Sequence, residues 1–134
     1  MPEFVHRLRV RYAECDLQGQ VFNANYLLYY DVAFTELWRE AVGPWQSMVD
    51  RGFDLVVAEA SLRFRAPARY DEEIDLRIAV TGVGTTSFGT DFEVVRGAEV
   101  LLEGTMRHVC VDAQTWRKAE LPEWMRSGVQ RFTA

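Results

Sequence analysis

The sequence predicts an α+β fold in which an antiparallel sheet of about five strands curls round one long helix. Three observations carry that prediction. Residues 24–42 hold a helix-period run that is apolar on nearly every side, four stretches alternate with a period of two and a fifth is more continuously apolar, and a short glycine-containing link joins the last two of them. A helix of this kind must be covered on most of its surface, and a curled sheet covers it.

Residues 4–13 set Phe4, His6, Leu8, Val10 and Tyr12 against Val5, Arg7, Arg9 and Arg11, the period of a strand with one charged face. The polar, glycine-bearing run 14–22 interrupts it and reads as a loop. In the helix 24–42 the polar residues Asp31, Thr35, Glu36, Arg39 and Glu40 share one narrow stripe, while Tyr26, Leu27, Leu28, Tyr29, Tyr30, Val32, Phe34, Leu37 and Trp38 occupy the rest. Asn23 or Asn25 is suited to cap it, Gly43-Pro44 ends it, and a short helical piece through 45–51 follows. Residues 55–66 place Val56, Ala58, Ala60, Leu62 and Phe64 opposite Glu59, Ser61, Arg63 and Arg65. Residues 73–82 and 86–95 alternate likewise, and 99–112 is more continuously apolar. The link 95–99, Val-Arg-Gly-Ala-Glu, reads as a hairpin and makes these strands antiparallel. Pro122 opens a last short helix reaching about residue 132.

The length of 134 residues suits one domain spanning 1–134. A net charge of −5 and a pI near 5.0 oppose a nucleic-acid partner and docking on an anionic membrane. No run is long and apolar enough for a membrane span or a signal peptide, and the two cysteines do not make a stapled secreted scaffold, so a cytoplasmic location is expected. A sheet with open edges predicts at least a homodimer.

Familiar catalytic patterns are absent. His6 and His108 are the only histidines and stand alone within strands, so no metal site is expected. There is no nucleophile elbow, P-loop or dinucleotide fingerprint. What remains is the loop from Glu14 to Tyr26 in front of the helix. A carboxylate there sits beside helix N–H groups that can also hold a carbonyl oxygen as it gains negative charge. Asp16 has two readings, a brace for the loop or an acid kept ionised for chemistry. Glu14 lies nearer the strand, Cys15 reads as an inert thiol with no base beside it, and Gly19 lets backbone approach a ligand.

The run Arg11-Tyr12-x-Glu14-Cys15-Asp16-x-x-Gly19-x-Val21-Phe22-Asn23-x-Asn25-Tyr26, followed by a long helix, resembles the hotdog-fold thioesterases of the 4-hydroxybenzoyl-CoA thioesterase and YbgC type. Residues 64–71, Thr85-Thr86-Ser87-Phe88, Val109-Cys110-Val111-Asp112 and Leu121-Pro122 extend the resemblance over about residues 5–132. It implies a hotdog fold and hydrolysis of an acyl thioester, usually of coenzyme A, with no cofactor other than the coenzyme A carried by the substrate. It implies that Asp16 is the catalytic carboxylate, as nucleophile or general base, and that the Asn23 N–H polarises the thioester carbonyl. Gly19 and Tyr26 would shape the loop and the acyl pocket, Thr85, Thr86 and Ser87 would meet the substrate, and dimers would pair into a homotetramer.

The chain departs from the pattern at Glu14, where relatives have Asp, and at Gly84-Thr85-Thr86, where the hydroxybenzoyl enzymes carry basic residues for the nucleotide phosphates. Arg63, Arg65 and Arg69 are candidates for that lost charge or else a solvated strand face. Glu59 either approaches the site across a dimer or is surface or interface scaffolding. The rival expectations are a thioesterase acting on an acyl-carrier protein and a non-catalytic acyl-thioester binding module.

Overall fold

Alternation carries the first strand only as far as Arg9. The computed structural model, which describes residues 3–133, opens with β1 (Glu3–Arg9). The expected strand 4–13 stops there because its next amides find other partners. Val10 N–H donates to Glu72 O and Arg11 N–H to the Glu14 carboxylate, both at 2.9 Å, and Tyr12–Glu14 then closes a 3-10 turn.

Helix α1 (Asn25–Ala41) follows the predicted span closely, and α2 (Trp45–Asp50) comes after Gly43-Pro44. Neither Asn23 nor Asn25 caps α1. The N-cap is Ala24, which offers no side-chain acceptor, and Asn25 uses its Nδ2 to reach Glu14 O instead (2.8 Å). The strands are β2 (Phe53–Phe64), β3 (Glu73–Thr81), β4 (Ser87–Arg96) and β5 (Glu99–Asp112), and α3 (Glu123–Gln130) closes the order. They form one five-stranded sheet in the order β1-β3-β4-β5-β2, with every neighbouring pair antiparallel.

The expected face assignment of β2 holds only for its second half. The pairing with β5 shifts between Val57 and Glu59, leaving Ala58 as the extra residue of a bulge. Before it, Leu55 and Val57 lie opposite Cys110 and His108, and Val56 turns to the other face; after it, Ala60, Leu62 and Phe64 resume the expected side. A one-residue insertion reverses the phase of everything upstream.

Tyr26, Tyr29, Tyr30, Ala33, Phe34, Leu37 and Trp38 of α1 are buried. Leu27 and Leu28 are 43% and 48% exposed, so the helix is not wrapped on every side by its own chain. At the far end of α1, Gly128 of α3 comes so close that a Cβ there would lie 2.5 Å from Ala41 O. No helix among the described residues is long and apolar enough to cross a membrane.

His108 lies in the core. Its ring stacks on Phe34 with centroids 4.2 Å apart, and its Nε2 is hydrogen-bonded to Tyr30 Oη (2.7 Å), which also meets Thr90 Oγ1 (2.6 Å). Burial pushes its pKa down to about 4. Between that value and the unfolded histidine value of about 6.5, the unfolded chain binds the additional proton, so stability falls as pH drops through the window. We expect a loss of about 2 kcal/mol from pH 7 to pH 5 in urea unfolding. The His108→Gln variant should lack that slope; equal slopes in the two proteins would exclude His108 as its source.

Candidate active site

Between the 3-10 turn and α1 the chain makes a tight loop, closed where Cys15 bridges Val21. Asp16 N–H donates to Gln20 O (2.8 Å) and Gly19 N–H to Asp16 O (3.0 Å). Gly19 sits at φ 75°, a left-handed conformation that glycine adopts without strain. Gln20 bridges Arg69, and Val21 N–H donates to Ala68 O (2.9 Å), so the segment after β2 holds the loop from outside.

Asp16 is exposed, and its Oδ1 accepts from Gln18 N–H (2.8 Å) and Gln20 N–H (3.3 Å). Its Oδ2 has no partner among the described residues. The brace and the chemical acid are thus compatible, because one oxygen fixes the carboxylate and leaves the other open.

The free amides lie one step earlier than a regular helix start would put them. Asn25, Tyr26 and Leu27 donate back to Phe22, Asn23 and Ala24 carbonyls at 2.8, 3.3 and 3.2 Å. Among the described residues, the N–H groups of Asn23 and Ala24 are left without acceptors. Beside them opens a cleft of about 220 Å³ lined by Gln20, Val21, Asn23, Tyr26, Phe64, Arg65, Ala66 and Pro67. Tyr26 forms part of its wall and is itself fixed, its hydroxyl accepting from Ala68 N–H (3.1 Å). Asp16 stands next to this cleft through Gln20 rather than lining it.

The residue that anchors the loop is Glu14. Its side chain is buried against the helix, where Oε1 accepts from Tyr29 Oη (2.8 Å) and Arg11 N–H (2.9 Å), and Oε2 is ion-paired with the Arg11 guanidinium. Burial alone would raise its pKa, but the hydrogen bonds from Arg11 and Tyr29 outweigh it and hold the carboxylate below its usual value. Its backbone carbonyl also accepts from Phe22 N–H (2.9 Å) and Asn25 Nδ2, tying both ends of the loop to one point. The three-residue spacing of Arg11 and Glu14 was the available sequence signal for this anchor. Cys15 is half-buried, and burial raises its pKa, in keeping with an inert thiol.

Thr85, Thr86 and Ser87 lie elsewhere. Thr85 and Thr86 lie in the β3–β4 turn and Ser87 opens β4; Thr86 O accepts from Cys110 N–H and Thr85 O from Leu121 N–H, and Ser87 Oγ accepts from Arg107 (3.1 Å). The Asp16 loop meets the other end of the sheet, beside Arg69 and the Arg96–Glu72 pair. Ten residues of β4 separate the ends, about 30 Å at strand rise. One chain therefore does not bring the two groups together. Of the three arginines, Arg65 lines the cleft while ion-paired to Glu103, and Arg69 flanks the loop through its backbone. Arg63 lines a different and larger hollow of about 580 Å³ on the charged side of the sheet, with Glu3, Arg77, Asp91 and Glu93. That hollow adjoins the cleft through the Arg65–Glu103 pair but is not lined by the loop residues. Glu59 is exposed on the edge strand opposite Arg107.

The description of the thioesterase-like superfamily matches residues 10–129 of this sequence. The chain belongs to that superfamily. Among thioesterase-like relatives, the acyl-CoA thioester hydrolase YbgC of Escherichia coli is 29% identical over 117 residues, 87% of each protein. Two solved structures share the hotdog architecture of this superfamily member. A hypothetical protein from Thermus thermophilus is 32% identical, with a TM-score of 0.89 and 98% of both chains covered. A 1,4-dihydroxy-2-naphthoyl-CoA thioesterase from Synechocystis, 23% identical, gives 0.87 over 95% of each chain and supports the fold alone.

Proposed function

We propose that this thioester hydrolase cleaves acyl-coenzyme A, with Asp16 as the catalytic carboxylate and the Asn23 N–H as the donor that polarises the thioester carbonyl. The observation that carries this reading is the pairing, in one tight loop, of a braced carboxylate with an open Oδ2 and two amides without acceptors beside a cleft. Water adds to the carbonyl carbon as Asp16 takes its proton, or Asp16 adds first and water then releases the acyl group. In either route the oxyanion accepts hydrogen bonds from the Asn23 and Ala24 amides. The C–S bond breaks, and the products are a carboxylic acid and coenzyme A. A thiolate leaves readily, so the reaction runs without a histidine acid; His108 is buried and bonded to Tyr30. No cofactor enters beyond the coenzyme A of the substrate.

We further propose a homodimer formed along β2. That strand pairs on one side only, and its Val57 and Phe64, together with Leu27 and Leu28 of α1, are about half exposed. A two-fold axis through β2 sets its Phe64 end beside the Phe53 end of the partner. Since Phe53 pairs with Asp112, close to the β3–β4 turn, the partner's Thr85, Thr86 and Ser87 come round to the Asp16 end. A long thioester would then touch Asp16 of one protomer and that turn of the other. Two such dimers, meeting on sheet faces that carry both signs of charge, make the tetramer, which we place in the cytoplasm.

Thiol release from a panel of aliphatic and aromatic acyl-CoAs tests the activity. Steady turnover of one or more members is expected. Silence across the panel, with tight binding of an acyl-CoA in calorimetry, would replace the enzyme by a binding module.

A further inference from the structure

The two amides without acceptors belong to one turn. Residues 22–25 close it through Asn25 N–H to Phe22 O (2.8 Å), and Ala24, already helical at φ −64° and ψ −24°, carries it straight into α1. Asn23 and Ala24 are its middle residues, so their N–H groups take no part in the closing bond. A single atom holds both corners of this turn. Glu14 O accepts from Phe22 N–H (2.9 Å) and from Asn25 Nδ2 (2.8 Å). The first tether is backbone, and any residue except proline supplies it. The second exists only because residue 25 carries a side-chain donor. Asparagine at a helix start ordinarily accepts from the first-turn amides as a cap. Here the N-cap is Ala24, which has no acceptor, and the Asn25 side chain turns back to the loop instead.

We infer that Asn25 is a positioning residue, which fixes the Asn23 and Ala24 amides relative to Asp16 without touching the substrate. For its effect on rate this inference rests on the thioester-hydrolase reading of the same site. Glu14 lies two residues before Asp16 and is itself gripped by Tyr29 Oη and Arg11, so one anchor serves the carboxylate and the amides together. With the Phe22 tether alone the turn can swing about that bond, and with both it cannot. A displacement of about 1 Å between reacting groups costs on the order of 10²-fold in rate. The cost in stability is small by comparison, because Glu14 O keeps the Phe22 amide and is never left unpaired.

The test compares wild type, Asn25→Ala and Asn25→Asp. It reads kcat and KM on acetyl-, hexanoyl-, benzoyl- and palmitoyl-CoA, the thermal midpoint, and backbone amide order parameters of the ¹⁵N-labelled protein. Asn25→Ala should lower kcat by about 10–10²-fold and move KM by less than about threefold, while melting close to wild type. Asn25→Asp guards against a folding defect: an acid in the first turn suits the positive end of α1, but it has no donor for Glu14 O. It should melt no lower than wild type and lose kcat as well. The order parameters of Asn23 and Ala24 should fall from the rigid value of about 0.85 towards 0.6 in both variants, with the rest of α1 unchanged. Full kcat in Asn25→Ala would overturn the inference, and so would order parameters that do not move. If wild type turns over none of the four thioesters, the hydrolase reading falls, and the order parameters decide alone: amides loosened in both variants support the tether, and amides as rigid as in wild type refute it.

Discussion

Asp16→Asn is expected to lower turnover by about 10²–10⁴-fold while the protein melts close to the wild-type temperature. Both halves follow from the two oxygens of the side chain. Asparagine keeps a carbonyl oxygen that can accept from the Gln18 and Gln20 amides, so the brace of the loop survives. The position of the open Oδ2 passes to an NH₂ group, which neither takes a proton from water nor attacks a carbonyl. Asp16→Ala removes the brace too, and should add a loosening of the loop to the same chemical loss. The comparison calls for initial rates of thiol release and a thermal melt on each purified variant. An asparagine variant with wild-type turnover would remove Asp16 from the mechanism.

Glu14→Ala should cost about 2–4 kcal/mol in stability, the range for leaving buried polar partners unpaired. The carboxylate is 6% exposed, and the Tyr29 hydroxyl it accepts from belongs to a side chain that is 1% exposed. For a domain of this size the thermal midpoint should fall by roughly 10 °C. Glu14→Gln keeps an acceptor for Tyr29 and should lose clearly less. The charge adds a pH signature. Because the folded state lowers this pKa, its stabilisation is complete above the unfolded carboxylate value of about 4.3 and disappears as pH falls through the folded value. The acid limb of the stability curve should accordingly be shallower in Glu14→Gln. If Glu14→Ala melts with the wild type, the anchor has been misassigned.

Much of the fold was legible because it rests on two periodicities. The 3.6-residue pattern located α1, the two-residue pattern located β3 and β4, and the apolar run after the hairpin link located β5, each strand within a residue or so. Where backbone partners decide, side-chain patterns were silent. The apolar alternation ran on to Tyr12, although the amide of Arg11 was already committed to Glu14. The bulge at Ala58 leaves no compositional mark, so the first half of β2 was assigned to the wrong face. Leu27 and Leu28 looked like core because an apolar side chain reads the same in the sequence whether its own fold buries it or leaves it exposed. In the site, the loop and its open amides stand where the Asp16–Asn23 motif led us to look. Glu14 was undervalued because its burial depends on Tyr29, fifteen residues on. The distance from Thr85–Ser87 to Asp16 depends on strand order, which no local pattern encodes.

The strand order also bears on how the chain reaches its native state. β3, β4 and β5 are consecutive in sequence and adjacent in the sheet, so each of their pairings closes a short loop. The two edges are different: Arg9 must find Glu73, and Phe53 must find Asp112. Loop-closure entropy makes these the costlier steps, and contacts between distant residues slow folding. Both walls of the cleft depend on them, since the Asp16 loop follows β1 and Phe64 ends β2. The central meander is thus a frame that can stand before the cleft exists, and the Asp16 loop and Phe64 join it at the end of the search.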